Sequence, residues 1–193
     1  MGSPAEQELE NLMLVAKSCN YVLETGSGYS TQCFAANNIP VVTIDLFPPE
    51  DELRDACPSV TFMTGWSITD SDMIKLGNPL FNKSRYKNTP DEKVAYGIEP
   101  MKGETDLIRK AMEMFGVPDM FFCDTGEYCG YAEWTLMRNI IPVGGFIALH
   151  DIHYPKSIKN FMAYRDILAK PNKWDLLYKS MSRQGLCIAR RIT

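Results

Sequence analysis

The sequence predicts an α/β protein: a doubly wound, mostly parallel seven-stranded sheet that ends in a C-terminal antiparallel hairpin. Three observations predict it. Short apolar or β-branched runs alternate with stretches of helical periodicity, the signature of a parallel sheet joined by right-handed crossovers. The first five runs each end at an acid or a glycine-rich edge, namely Glu24, Asp45, Gly65-Trp66-Ser67, Asp124 and His150-Asp151. Two further strand-like runs, Trp174 to Ser180 and Gly185 to Arg190, then flank a tight Ser182-Arg183-Gln184-Gly185 connection.

Taken in order, Ser3-Pro4-Ala5-Glu6 opens a helix: Ser3 caps, Pro4 suits the first turn and Glu6 completes a capping box. Leu9, Leu12, Met13 and Ala16 share one face at helical spacing. Tyr21-Val22-Leu23 is the first strand. A helix from Ser30 runs to Asn37-Asn38, residues that tolerate a left-handed helix end. Val41-Val42-Thr43-Ile44 is the second strand, a polar helix spans Glu50 to Ala56, and Val60-Thr61-Phe62-Met63 is the third strand.

From Gly77 to Gly103 the alternation lapses, with Pro79, Pro90 and Pro100 marking a long irregular connection. Loops of that length are often lids or substrate-binding segments, and a plain surface insertion is the equal alternative. Order returns over Glu104 to Phe115, where Leu107, Ile108, Ala111, Met112 and Phe115 share a helix face. Asp119 to Cys123 is the fourth strand, and a helix from Tyr131 to Ile140 stops before Pro142. Phe146 to Leu149 is the fifth strand, and the last helix spans Ser157 to Leu168. No repeat or low-complexity segment interrupts residues 1–193, which read as one domain with a lid-like insertion at about 77–103.

Composition narrows the class. The chain is 45% hydrophobic and 23% charged, ordinary for a globular protein of 193 residues. A net charge of −4 argues against a nucleic-acid binder that works by phosphate neutralisation. No apolar run approaches the roughly 20 residues of a membrane span, and no signal-peptide pattern is seen. Six cysteines are scattered without a C-x-x-C pair, as expected in a reducing compartment, so a cytoplasmic location is expected.

The stretch Tyr21 to Thr31 organises the rest. A buried strand ends in Glu24; Gly26 and Gly28 then let the chain turn and let a ligand lie against bare backbone. The following helix N-terminus, with free N–H groups and a positive dipole end, favours a carboxylate or phosphate. A dinucleotide turn would carry a third glycine, but Thr31 stands there. In open α/β sheets, ligands bind beyond the carboxyl ends of the strands, where all the strand-end residues above collect.

The pattern apolar-apolar-Glu-x-Gly-x-Gly-x-Ser-Thr resembles motif I of class I S-adenosylmethionine-dependent methyltransferases. The resemblance extends from about Ser3 to Asp151 and includes Pro142-Val143-Gly144-Gly145, similar to the turn before that family's fifth strand. It implies a Rossmann-like methyltransferase fold with the terminal strand pair as its hairpin. It also implies that S-adenosylmethionine is held by Glu24, Gly26, Ser27, Gly28, Tyr29, Ser30, Thr31, Asp45, Trp66, Ser67 and Asp124. In it Asp45 meets the ribose hydroxyls and Trp66-Ser67 flank the adenine.

A narrower likeness is to metal-dependent O-methyltransferases acting on small molecules and sugars. It implies a divalent cation on Asp124, His150 and Asp151. Oxygen ligands suit Mg²⁺, and an imidazole would admit Mn²⁺, Fe²⁺ or Zn²⁺. Glu127 stands where that group has its histidine, leaving Glu127 and His153 as candidate bases within a catalytic set of Glu127, His150, Asp151 and His153. A structural alternative has Asp151 capping the next segment.

The function these features imply is methyl transfer from S-adenosylmethionine to an oxygen of a small-molecule or sugar acceptor, with no nucleic acid or membrane as partner and a homo-oligomer left open. Two alternatives stand beside it. One is a binding or scaffold protein that keeps the fold without methyl transfer; the other is a nicotinamide-dependent oxidoreductase.

Overall fold

The computed structural model describes residues 4–80, 90–95 and 99–193. Ser3, expected to cap the first helix, and residues 81–89 and 96–98 of the long connection lie outside the described residues. In chain order the elements are α1 (Pro4–Ala16), β1 (Val22–Thr25), α2 (Tyr29–Ala36), β2 (Val41–Asp45) and α3 (Asp51–Ala56). Next come β3 (Thr61–Thr64), α4 (Asp70–Leu76), α5 (Pro90–Ala95), α6 (Leu107–Phe115) and β4 (Met120–Cys123). The chain ends with α7 (Cys129–Met137), β5 (Phe146–His150), α8 (Phe161–Leu168), β6 (Trp174–Ser180) and β7 (Leu186–Arg191).

The seven strands form one sheet in the order β3-β2-β1-β4-β5-β7-β6. Strands β3 to β5 are parallel, with Leu23 facing Val42 on one side and Phe121 on the other. Strand β7 inserts antiparallel between β5 and β6, so the terminal pair is the expected hairpin. The two halves of the sheet meet between β1 and β4, the switch point where such sheets open a crevice.

Central parallel strands are covered on both faces, which is why β1 and β4 are buried throughout. Side chains alternate between two cores. Val22, Met120, Phe122 and Ala148 pack with Leu12, Met13, Ala16 and Phe34 of α1 and α2. Leu23, Phe121, Ile147 and Leu149 pack on the other side with Leu107, Ile108, Ala111, Trp134 and Met137 of α6 and α7. Burying a side chain of this class contributes roughly 1.5–3 kcal/mol, so a one-residue slip of β1 would forfeit both layers.

Three details depart from the sequence expectation. Helix α4, which the sequence did not announce, is capped by Thr69, whose hydroxyl accepts the Asp72 N–H at 3.0 Å. Helix α5 lies inside the connection expected to be irregular. Helix α8 begins at Phe161 rather than Ser157, because Asn160 is fully buried and pins the preceding segment to the strand ends. Among the described residues no helix is long and apolar enough to cross a membrane.

Candidate functional site

The turn after β1 is built around Glu24, which is fully buried. Its carboxylate accepts hydrogen bonds from Ser30 Oγ at 2.5 Å, Thr31 Oγ1 at 2.7 Å and Thr43 Oγ1 at 2.8 Å. One acid thus ties the first turn of α2 to β1 and β2. Burial pushes its pKa up to about 7; the three hydroxyls oppose that push, and the nearby Asp124 charge adds to it. Glu24 and Thr31 therefore shape the turn from beneath.

The two glycines divide the work. Gly26 has φ +85°, and a Cβ there would stand 2.3 Å from the Asp124 carbonyl oxygen, so it exists to let β1 and β4 close together. A Cβ at Gly28 would meet no atom within 4 Å, leaving bare backbone facing open space. The Gly28 N–H donates to Thr31 Oγ1 at 3.0 Å, fixing the entry to α2.

At the end of β2, Asp45 Oδ2 accepts both the N–H and the hydroxyl of Ser27 at 2.7 Å, and Oδ1 accepts the Phe47 N–H at 3.1 Å. Beyond β3, Trp66 is buried and its indole N–H donates to the Lys102 carbonyl at 3.1 Å. Ser67 donates a short hydrogen bond to Glu133, which also accepts Thr25 Oγ1 at 2.8 Å. Burial raises the Glu133 carboxyl above its ordinary value, against these hydroxyls. Gly26, Ser27, Asp45, Trp66 and Ser67 line a cleft of about 490 Å³ that continues to Asp124, Glu127, Asp151 and Lys159.

Past β4 and β5, Asp124 Oδ1 contacts His150 Nδ1 at 3.0 Å and Lys159 Nζ at 2.9 Å. Lys159 Nζ also meets Asp151 Oδ2 at 2.6 Å. Burial alone would raise the Asp124 carboxyl, but His150 and Lys159 outweigh it and hold it below the usual carboxylate range. Burial opposes charge on His150 and on Lys159, yet the two carboxylates hold both above their ordinary values. Two carboxylates thus face an ammonium and an imidazole.

Ligand atoms of Asp124, His150 and Asp151 lie within 4.8 Å of one another. Asp151 adopts φ +61°, an uncommon conformation for a residue with a side chain, and its Oδ1 is buried without a hydrogen-bond partner. That oxygen, 3.4 Å from His150 Nδ1 and beside a second acid, fits a divalent cation.

A second pocket, of about 440 Å³, lies between α1 and the start of α2 and is lined by Leu9, Leu12, Tyr29, Ser30, Phe122, His150 and Arg183. Ser27, Gly28 and Asp124 also belong to its wall, so Ser27 and Asp124 are common to both hollows.

The expected site residues separate into groups. Gly26, Ser27, Asp45, Trp66, Ser67, Asp124, Glu127 and Asp151 border the larger cleft, while Gly28, Tyr29, Ser30 and His150 border the second pocket. The Glu127 carboxylate accepts the Ile158 N–H at 3.2 Å. His153 borders neither hollow; its backbone N–H donates to Gln184.

Four residues escaped the sequence reasoning. Glu133 left a trace, as an acid on the stripe Cys129, Glu133, Met137 of an otherwise apolar helix. Asn160, Asn78 and Lys159 left none. Asn160 Nδ2 donates to the Cys123 carbonyl at 3.0 Å and the His150 carbonyl at 2.7 Å, joining β4 to β5. Asn78 Nδ2 donates to the Ile158 carbonyl at 2.7 Å and the Glu127 carbonyl at 3.1 Å.

No protein-family profile matches the chain, and no curated protein matches it. Solved structures do. An O-methyltransferase from Bacillus cereus, solved in complex with SAH, is 15% identical with a TM-score of 0.52, over 99% of this chain and 82% of its own. TomG, an O-methyltransferase from Streptomyces achromogenes solved with SAM, is 14% identical with a TM-score of 0.53, over 100% of this chain and 82% of its own. MycE, a methyltransferase of mycinamycin biosynthesis solved with Mg, SAH and mycinamycin VI, is 8% identical with a TM-score of 0.55; the chain matches along its whole length but spans 51% of MycE. The chain therefore has the Rossmann-like fold of these methyltransferases.

Proposed function

We propose that this protein transfers a methyl group from S-adenosylmethionine to an oxygen of a small molecule or sugar. The observation that carries the proposal is the cleft at the β1/β4 switch point, where Ser27, Asp45, Trp66 and Ser67 lead to Asp124 and Asp151 of the Asp124–His150–Asp151 cluster. The SAH and SAM bound to neighbours of the same fold support it.

Residue by residue, Asp45 offers a pre-aimed carboxylate to ribose hydroxyls, and Trp66 walls the adenine end. The bare backbone at Gly28 and the α2 N-terminus receive the amino-acid end, since a helix start favours a carboxylate. S-adenosylmethionine supplies a methyl carbon that is already activated, so the protein's task is alignment for in-line attack. The second pocket meets the cleft at Ser27 and Asp124; its edge at Gly28 takes the cofactor's amino-acid end, and its α1 side holds the acceptor. Its Leu9, Leu12 and Phe122 wall takes an apolar ring or sugar face. Helix α5 brings Pro90 to the cleft border, in keeping with a covering role for α5.

Asp124, His150 and Asp151 would hold a divalent cation, whose charge lowers the pKa of an acceptor hydroxyl. Glu127, at the cleft wall, takes the proton. One observation favours a second reading, a binding protein of this fold: the Glu127 carboxylate is already engaged by the Ile158 N–H.

Parallel calorimetric titrations with SAH and NAD⁺ test the proposal, followed by methyl transfer to vicinal-diol acceptors with and without chelator. SAH binding with turnover is expected. Binding without turnover to any acceptor selects the binding protein, and NAD⁺ binding in place of SAH overturns both.

A further inference from the structure

Lys159 stands where the metal donors converge. Its Nζ is 2.9 Å from Asp124 Oδ1 and 2.6 Å from Asp151 Oδ2, at charge-assisted hydrogen-bond distance from two of the three donor residues. Its side chain is 12% exposed, so the ammonium is not a surface charge that drifts past two acids. The next residue aims it. Asn160 is anchored to the ends of β4 and β5, and the Lys159 N–H donates to Ser157 Oγ at 3.2 Å.

A divalent cation held by Asp124 and Asp151 would compete with this ammonium for the same two carboxylates. Mg²⁺ demands near-octahedral oxygen ligands at about 2.0–2.1 Å, which leaves no room for an ammonium on those oxygens. Like charges at that separation also repel strongly in a poorly solvated site. The bay nevertheless keeps one donor in reserve, the buried Asp151 Oδ1, which makes no hydrogen bond and stands 3.4 Å from His150 Nδ1.

We propose that Lys159 is a tethered cation that occupies the Asp124–Asp151 bay when no metal is bound, and that a divalent metal enters only by displacing its ammonium. Metal and lysine are then alternative occupants of one site. The tether makes metal occupancy a competition: a metal must outbid an ammonium held at high local concentration. This rests on the donor assignment made under the proposed function, but its test needs no methyl transfer.

The experiment measures Mn²⁺ binding by electron paramagnetic resonance in the wild type, Lys159→Met and Lys159→Arg, with SAH titrations alongside. Lys159→Met should bind Mn²⁺ at least tenfold more tightly than the wild type, and Lys159→Arg should resemble the wild type. In parallel, wild-type protein is acetylated with and without Mn²⁺ and read by mass spectrometry, which needs no variant to fold. Labelling of Lys159 should rise severalfold with Mn²⁺ while the other lysines stay constant. Equal Mn²⁺ affinity in the wild type and Lys159→Met, or Mn²⁺ binding that leaves Lys159 labelling unchanged, overturns the exchange. So does an absence of Mn²⁺ binding in every form. SAH binding that persists through those results leaves the cofactor reading standing, and loss of SAH binding beside intact exchange removes only that reading.

Discussion

Removing the charge of Glu24 by Glu24→Gln should flatten the pH dependence of stability in mildly acidic solution. The wild-type carboxyl has a folded-state pKa of about 7 against an ordinary 4.5, chiefly because it is buried. The folded protein therefore binds this proton more tightly than the unfolded chain. Stability from this group is full below about 4.5, falls as pH rises through the window and is lost above about 7. At about 1.4 kcal/mol per pH unit, the gap amounts to about 3 kcal/mol. Because the side chain is fully buried, solvent screening does not discount it. Glutamine keeps a carbonyl oxygen for the hydroxyls of Ser30, Thr31 and Thr43 but has no proton to exchange. Urea unfolding of both forms at pH 5 and pH 8 isolates the effect, since the other titrating groups are common to both. The wild type should lose about 2–3 kcal/mol more than Glu24→Gln between those pH values. Equal losses would refute the assignment of a buried, proton-binding Glu24.

Four further outcomes are expected. Asp45→Ala should weaken SAH binding by roughly ten- to hundredfold in calorimetry, the worth of a charged hydrogen bond, and undiminished binding would remove Asp45 from the site. Gly26→Ala, whose Cβ would fall on the Asp124 carbonyl, should cost about 1–3 kcal/mol of stability by thermal unfolding. Gly28→Ala should keep the wild-type melting temperature and lose about tenfold in SAH affinity, the size of a modest steric penalty; the reverse pattern would exchange the roles of the two glycines. Asn160→Ala strips donors from two buried carbonyls and should cost about 2–4 kcal/mol, a fall in melting temperature of about 5–15 °C, and an unchanged melting temperature would show the staple to be dispensable.

Much of the frame was legible because local chemistry and tertiary position coincide. A central parallel strand must be apolar on both faces, so Val22-Leu23 and Phe121-Phe122 declare themselves, and the acids after them mark the rim. Asn38 was expected to tolerate a left-handed conformation and has φ 55°. Helix α4 was illegible for a physical reason: it is seven residues long, begins Asp-Ser-Asp and leaves Ile74 74% exposed, so no apolar stripe develops. Its one signal was the Thr69-x-x-Asp72 capping pattern. The cluster at β4 and β5 was legible only in part. Asp124 and His150-Asp151 stand at strand ends, but Lys159 reaches them across 35 positions from Asp124, through a loop whose path depends on Asn160. Periodicity carries no information about such a contact.

The same buried polar side chains explain how a rim made of loops can hold a fixed shape before any ligand arrives. Glu24 joins β1, β2 and α2; Glu133 joins β1, the Ser67 turn and α7; Asn160 joins β4, β5 and the approach to α8. Each spans three pieces of chain with groups that water can no longer satisfy, so displacing any one piece strands a buried donor or acceptor at about 1–3 kcal/mol. That penalty resists displacement more sharply than apolar contact, which gives way gradually as side chains slide. A rim stiffened in this way lowers the ordering cost of binding, so a ligand keeps more of its contact energy as affinity. The three staples lie behind Ser27, Asp45 and Asp124 rather than in front of them. Substituting them should therefore weaken ligand binding through lost rigidity, with a parallel loss of stability, whereas Asp45 borders the cleft and Gly28 the second pocket, and both weaken binding by direct contact.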